Sequence, residues 1–254
     1  CGIGHVARPF NRRLAKKVLD KNADVITLRD TISRRELSEM GITHPQVRSA
    51  ADPALSLSPA PDEDACQYLR QHGLDPAGRY ICFSVRPWKD FDRFEAFSQA
   101  ADYAREKYGL ETVFMPIEDP TDVEPSRRAA AGMKHESHLL PAPDRVELTM
   151  AVLRRMKLMC AMRLHALVFS AAADTPFLAV SYDIKVKSFM DYVENPSCCE
   201  LGEVTADWLC GEIDRIMADP GAYRSRSARL RTLEAENTRA AREMLGEALC
   251  GKEG

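Results

Sequence analysis

The sequence lacks the features typical of membrane-spanning, disulfide-stabilised and nucleic-acid-binding proteins. No stretch reaches the roughly 18 uninterrupted apolar residues of a membrane-spanning helix, and the most apolar region, 158–182, is interrupted by Arg163, His165 and Asp174. A net charge of -3 offers no excess of positive charge for nucleic acid or an anionic membrane. None of the eight cysteines forms a C-x-x-C pair, so we expect free thiols in a reducing compartment.

Several catalytic motifs are also missing. The sequence contains neither a G-x-S-x-G nucleophile elbow nor a P-loop, which argues against a serine hydrolase and a nucleoside triphosphatase. Gly2-Ile3-Gly4 lacks the third glycine and the preceding strand of a dinucleotide fingerprint. What is present is 45% hydrophobic and 29% charged residues over 254 positions. This composition is typical of a globular protein that buries a sizeable core.

The pattern along the chain indicates two α/β parts joined by a linker. The chain begins at Cys1 in mid-pattern, so we expect residues 1–55 to be the later part of a domain whose beginning is absent. Within it, 8–22 is predicted to be a basic helix and 23–28 a strand, and Thr31 or Ser33 is predicted to cap a helix ending at Gly41. The Pro/Ser-rich stretch 56–64 is the predicted linker, and 65–254 the second domain.

In the second domain, strands and helices alternate. Strands are predicted at 79–85, 111–117, 157–162, 177–182 and 198–202. Helices are predicted at 91–108, 125–134, 145–156, 164–174, 185–194, 205–218 and 225–249. The last of these helices starts near four arginines that form either a solvated face or a phosphate patch: Arg224, Arg226, Arg229 and Arg231. Because the strands are apolar throughout, we expect a doubly wound parallel sheet covered on both faces.

Ligands of doubly wound sheets bind where the strands end and the following helices begin. Arg86 follows the first strand of the second domain, where it is either a donor fork for an anion or a surface arginine stacked on Trp88. Arg163 and His165 flank the start of the apolar helix at 164. Two cations are unfavourable at a helix N-terminus. We expect a bound anion there, and the alternative is local pairing of both side chains.

A third junction follows the strand at 177–182. Tyr182 and Lys185 bring a hydroxyl and a positive charge to the same edge of the predicted sheet, whereas Asp183 has the position of a helix cap.

Together these segments resemble the polysaccharide pyruvyl transferases. The specific blocks are AMRLHALVF at 161–169 and SYDIKV at 181–186. Weaker matches occur in the family's order: GIG at 2–4, DVITLRD at 24–30, ADPA at 51–54 and SVRPW at 84–88.

The resemblance implies a Rossmann-like, GT-B-type fold. It also implies transfer of the enolpyruvyl group of phosphoenolpyruvate to a sugar of a cell-surface polysaccharide, forming a pyruvate ketal. Carried over by position, Arg163, the backbone of Leu164, His165 and Arg86 bind phosphoenolpyruvate, and His165 is the candidate general acid or base. Further candidates lie in the matched segments: Ser84, Tyr182, Asp183, Lys185, Arg29 and Asp30.

The resemblance also sets expectations about partners. The chemistry requires no metal or redox cofactor. The expected partners are phosphoenolpyruvate and a sugar acceptor, and a lipid-linked acceptor would place a cytoplasmic enzyme at the inner membrane face. Two other interpretations remain open: a GT-B nucleotide-sugar glycosyltransferase, and a truncated binding domain without catalytic activity.

Overall fold

The computed structural model describes residues 2–89 and 91–250. At 223–229, 231, 233 and 247–250 it describes the backbone alone. The four arginines at the start of the last helix therefore lie outside the described side chains. The chain divides into two compact units, Cys1–Ser56 with Ala228–Gly254, and Leu57–Ser227. Among the described helices, none is both long and apolar enough to cross a membrane.

The first unit contains a pair of parallel strands with two helices. Its elements are α1 (Pro9–Asn22), β1 (Val25–Leu28), α2 (Thr31–Glu39), β2 (Gln46–Ser49) and a 3₁₀ turn at Pro53–Ser56. The strands pair in parallel, and apolar side chains of β1, α2 and the following turn form a small core: Ile26, Leu28, Leu37, Met40 and Ile42. The predicted helix and strand are present, whereas β2 was not predicted because its sequence, QVRS, is polar and partly exposed.

The cap of α2 differs from the prediction. Asp30, rather than Thr31 or Ser33, is the N-cap residue, and its carboxylate accepts a hydrogen bond from the Ser33 amide at 2.6 Å. A carboxylate satisfies a free amide at this end and also interacts favourably with the helix dipole. Gly41 follows the helix with φ +69°, a left-handed conformation that favours glycine.

A buried glutamate of α2 holds the segment before α1. The Glu36 carboxylate accepts hydrogen bonds from the Val6 amide at 3.1 Å and from Arg12, and it lies 3.1 Å from His5 Nδ1. Burial acts to raise the pKa of Glu36, but the hydrogen bonds and the charges of Arg12 and His5 outweigh it, so the pKa is lowered.

The second unit is a six-stranded parallel sheet with helices. Its elements are α3 (Asp62–Gln71), β3 (Tyr80–Ser84), α4 (Phe94–Tyr108), β4 (Glu111–Phe114), α5 (Val123–Ala131), β5 (Ser137–Leu139), α6 (Val146–Arg154), β6 (Met156–Ala161), α7 (Leu164–Ala172), β7 (Phe177–Ser181), α8 (Ile184–Tyr192), β8 (Cys198–Glu200) and α9 (Ala206–Ala218). The strand order is β5-β4-β3-β6-β7-β8, and every pair is parallel. The predicted α/β doubly wound sheet is confirmed.

The predicted strands are present, and most of their side chains are buried, although β8 is half-exposed. Every residue of β3 and β7 is buried, as expected for strands covered on both faces. Two elements were not predicted. The short edge strand β5 has the half-exposed sequence SHL. The helix α3 begins at Asp62, inside the predicted linker, and its first turn contains three acidic residues that suit a helix N-terminus.

The predicted second domain, 65–254, includes all of the last helix, α10 (Pro220–Cys250), whereas the structure divides this helix between the two units. Its residues from Ala228 onward group with the first unit. There, Asn237 donates a hydrogen bond to the Ala51 carbonyl at 3.0 Å, and Arg48 pairs with Glu243 at 2.5 Å. These contacts, between residues far apart in sequence, explain why a boundary drawn from composition at 56–64 assigned this helix differently.

Candidate active site

The strand order of the second unit reverses between β3 and β6. From β3 the sheet extends through β4 to β5, and from β6 it extends in the other direction through β7 to β8. Ser84 pairs with Ala161 at the ends of these central strands, and the Met162 amide donates to the Ser84 carbonyl at 2.9 Å. The segments after the two strands therefore leave the sheet side by side. Such a switch point is where open α/β sheets form a ligand-binding crevice.

Arg86 is held after β3 by aromatic side chains. Its Nη1 donates to the Tyr182 hydroxyl at 2.7 Å, and its guanidinium lies 4.5 Å from the Tyr182 ring centroid and 5.3 Å from that of Trp88. The two rings are themselves 4.5 Å apart. In the described part of the chain, no carboxylate pairs with Arg86. Its positive charge is therefore oriented without being neutralised there.

Arg163 is in the opposite situation, because two carboxylates surround it. Its Nε and Nη2 donate to the Asp122 carboxylate at 2.8 and 2.5 Å, and its Nη1 lies 2.5 Å from Glu118 Oε2. The Arg163 side chain is 11% exposed, that of Asp122 is 0% exposed and that of Glu118 is 57% exposed. For Arg163 the structure thus contains the local pairing that the sequence left as an alternative to a bound anion, whereas His165 has no such partner among the described residues.

Electrostatics link the ends of three strands. Burial acts to lower the pKa of Arg163, but hydrogen bonding to Asp122 and the charges of Asp122 and Glu118 reverse this, so the pKa is raised. The Tyr182 phenol adds to the same shift. Tyr182, which follows β7, therefore contacts Arg86 and lies within electrostatic range of Arg163.

The start of α7 is open. Arg163 is the N-cap residue and Leu164 the first helical residue. The Arg163 side chain makes no cap hydrogen bond. Within the described residues, no side chain accepts a hydrogen bond from the Leu164 or His165 amide. His165 is exposed, its ring lies 5.8 Å from that of Phe169, and it forms no hydrogen bond to any other described group. The amides and the helix dipole at this end favour an anion.

A pocket of about 510 Å³ lies at the carboxyl ends of β3, β7 and β8. Its lining includes the aromatic residues Trp88, Phe91 and Tyr182 and the charged residues Asp92 and Arg93. Because Tyr182 also contacts Arg86, the pocket adjoins the arginine that has no described carboxylate partner. The site thus places the Arg86 guanidinium beside an aromatic wall, and the pocket lining carries charges of both signs.

The model of the polysaccharide pyruvyl transferase family matches residues 1–184. The chain belongs to this family. No curated protein sequence matches it significantly.

Solved structures with low sequence identity share the fold of this family member. A glycosyltransferase from Rickettsia africae ESF-5 is 11% identical, with a TM-score of 0.61 over 96% of this chain and 69% of that one. Anabaena Alr3699/HepE, solved with UDP and glucose, is 10% identical, with a TM-score of 0.58 over 95% and 67%. The UDP-GlcNAc 2-epimerase of Neisseria meningitidis, solved with UDP-GlcNAc, is 11% identical, with a TM-score of 0.62 over 95% and 65%.

The chain therefore spans about two thirds of the length of these proteins. The likeness confirms the Rossmann-like, GT-B-type fold. Family and fold together support a transferase that modifies polysaccharides.

Three of the remaining candidates of this pyruvyl transferase family member, Asp183, Arg29 and Asp30, have structural partners of their own. Asp183 is the N-cap residue of α8 and accepts from the Lys185 amide at 2.9 Å, while the Lys185 side chain is exposed. Ser84 is buried, and its hydroxyl has no hydrogen-bond partner among the described residues. In the first unit, Arg29 pairs with Asp52, and Asp30 caps α2.

Sequence reasoning missed the two acidic residues of the site, Asp122 and Glu118. Both lie between β4 and α5, a strand-to-helix junction like the three that were selected. The available signal was the position of β4 beside β3 in a doubly wound sheet, because this places the loop after β4 near the switch point.

Proposed function

We propose that this protein transfers the enolpyruvyl group of phosphoenolpyruvate to a sugar of a polysaccharide and forms a pyruvate ketal. The observation that carries the proposal is the grouping of Arg86, Arg163 and the open N-terminus of α7 at the switch point between β3 and β6. Phosphoenolpyruvate carries a carboxylate and a phosphate. The Arg86 guanidinium and the open helix N-terminus suit these two anionic groups. Arg163 lies at the same switch point, where Asp122 and Glu118 pair with it.

In this proposal, Arg86 is the main cation that binds the donor. Its hydrogen bond to Tyr182 and its contacts with two aromatic rings fix its direction, and no described carboxylate competes for it. The charge it contributes stabilises the negative charge that develops on the departing phosphate. Leu164 and His165 contribute backbone amides to the same anion.

His165 is the proposed general acid or base. An exposed imidazole at the first turn of α7 is accessible to the reacting groups, and imidazole is the side chain that most often transfers protons in enzymes. A proton is added to the methylene carbon of phosphoenolpyruvate while a sugar hydroxyl attacks C2 and gives up its own proton, so this step leaves the number of protons unchanged. Inorganic phosphate then leaves, and a second hydroxyl closes the ketal and releases its proton.

The first test is calorimetric titration with phosphoenolpyruvate and, separately, with UDP-GlcNAc. We expect phosphoenolpyruvate to bind and Arg86→Ala to weaken it by about tenfold or more. The matched control is Arg70→Ala, which removes the same charge from the exposed end of α3. Binding of UDP-GlcNAc alone would overturn the proposal in favour of a nucleotide-sugar glycosyltransferase. Binding of phosphoenolpyruvate without turnover on any sugar would favour a binding domain.

A further inference from the structure

Arg163 presents two edges of its guanidinium to two different carboxylates. The edge formed by Nε and Nη2 donates to Asp122, which is fully buried, whereas Nη1 faces Glu118, which is more than half exposed. Separating a buried ion pair is costly, while an exposed pair contributes little. Asp122 is therefore the fixed partner of Arg163, and Glu118 is the exchangeable one.

Asp122 also holds the loop that carries Glu118. Its Oδ2 accepts a hydrogen bond from the Glu118 amide at 3.0 Å, and its own amide donates to the Glu118 carbonyl at 2.9 Å. One buried carboxylate thus positions both the guanidinium and the backbone of the acidic residue opposite it. Moving the Glu118 carboxylate away from Nη1 requires only rotation of an exposed side chain.

We propose that Glu118 occupies the place of a donor anion at Arg163, and that the donor displaces Glu118 while Asp122 keeps the guanidinium in position. The inference rests on the proposed function, because phosphoenolpyruvate supplies the anion. A guanidinium binds carboxylates and phosphates through the same planar donors. Once Asp122 has taken Nε and Nη2, the exchangeable donors are those of Nη1.

Two substitutions with the same change in charge separate this inference from simple electrostatics. Glu118→Gln and Asp122→Asn each remove one negative charge next to Arg163, so electrostatics alone would strengthen anion binding in both. Displacement predicts that Glu118→Gln tightens phosphoenolpyruvate binding by about two- to fivefold, since a competing ion pair is lost. Positioning predicts that Asp122→Asn weakens it by about tenfold or more, since Arg163 loses its charged anchor.

The experiment is calorimetric titration of both variants with phosphoenolpyruvate, inorganic phosphate and pyruvate, beside wild type and Glu124→Gln. Glu124 lies in the first turn of α5, and its exposed carboxylate pairs with Arg128 rather than Arg163. The affinity of Glu124→Gln for phosphoenolpyruvate should therefore equal that of wild type. The phosphate and pyruvate titrations identify which group of the donor replaces Glu118. In turnover assays, both site variants should change the KM for phosphoenolpyruvate more than kcat.

The outcomes separate the inference from the proposed function. Wild-type binding of phosphoenolpyruvate with no tightening in Glu118→Gln would overturn the inference and leave the function standing. Tighter phosphate or pyruvate binding in Glu118→Gln without phosphoenolpyruvate binding would support the inference and overturn the function. No binding of any of the three would overturn both. If Asp122→Asn does not fold, tightening in Glu118→Gln beside wild-type affinity in Glu124→Gln still supports displacement, and equal tightening in both would overturn it in favour of charge alone.

Discussion

Asp122→Ala should destabilise the second unit far more than Glu118→Gln, although each removes one carboxylate from Arg163. Removing one partner of a buried ion pair costs about 3–5 kcal/mol. We expect about 3 kcal/mol, because Arg163 is 11% exposed and retains Glu118. An exposed pair contributes about 0–1 kcal/mol, and the Glu118 side chain is 57% exposed.

The expected shifts in Tm follow from the size of the unit. At roughly 2–4 °C per kcal/mol, Asp122→Ala should lower Tm by roughly 6–12 °C and Glu118→Gln by less than about 4 °C. Both tryptophans of the chain, Trp88 and Trp208, lie in this unit, so their fluorescence reports its unfolding. Asp122→Asn, which preserves the shape of the side chain, should fall between the two. Equal shifts for Asp122→Ala and Glu118→Gln would refute the distinction between a fixed and an exchangeable partner.

Four further predictions concern other groups. His165→Ala should lower turnover by about 10²–10⁴-fold while calorimetry still detects phosphoenolpyruvate binding; wild-type turnover would refute the acid–base role. Asp183→Ala should lower the free energy of unfolding in urea by about 1 kcal/mol, because Asp183 caps α8, and Asp183→Ser should restore that stability. Donor affinity should be unchanged in both variants, and weaker binding in both would instead place Asp183 in the site. The pKa of Glu36 is lower in the folded protein than in the unfolded chain, where it is about 4.3. Its ionised carboxylate therefore stabilises the fold fully above that unfolded pKa, and this stabilisation is lost as the pH falls through the folded pKa. Thermal melts between pH 3 and 6 should depend less on pH in Glu36→Gln than in wild type, and an unchanged dependence would contradict this. Burial raises the pKa of Cys198 to about 11 and that of Cys199 to about 12, so peptide mapping should find both slowly alkylated at pH 8, and rapid alkylation would point to a reactive pair.

The fold was largely predictable because burial on both faces leaves a continuous apolar pattern. β3, β6 and β7 were predicted from such runs, and the apolar helix α7 from the run that follows β6. The missed strands, β2 and β5, have polar and half-exposed sequences. Hydrogen bonds to a parallel neighbour define these two strands, and no local pattern reports that neighbour.

Half of the candidate site was predictable in the same way. Arg86 and Arg163 were recognised because each directly follows an apolar strand, where a charged residue is conspicuous. Tyr182 was also among the candidates, and Trp88 was an alternative stacking partner for Arg86. The hydrogen bond between Tyr182 and Arg86 was not predicted, however, and the carboxylates that pair with Arg163 were missed. Tyr182 meets Arg86 across 96 positions of sequence, and Asp122 meets Arg163 across 41.

The sequence by itself determined the order of the buried strands and the helices between them, the family and the positions of the cations, since local periodicity and short blocks of residues report each of these. Only the tertiary structure decided which cation is neutralised. Parallel pairing places the end of β4 beside that of β3, and the loop after β4 brings Asp122 and Glu118 to Arg163, while no described carboxylate reaches Arg86. The balance of charge depends on distances of a few ångströms between residues that only the folded sheet brings together.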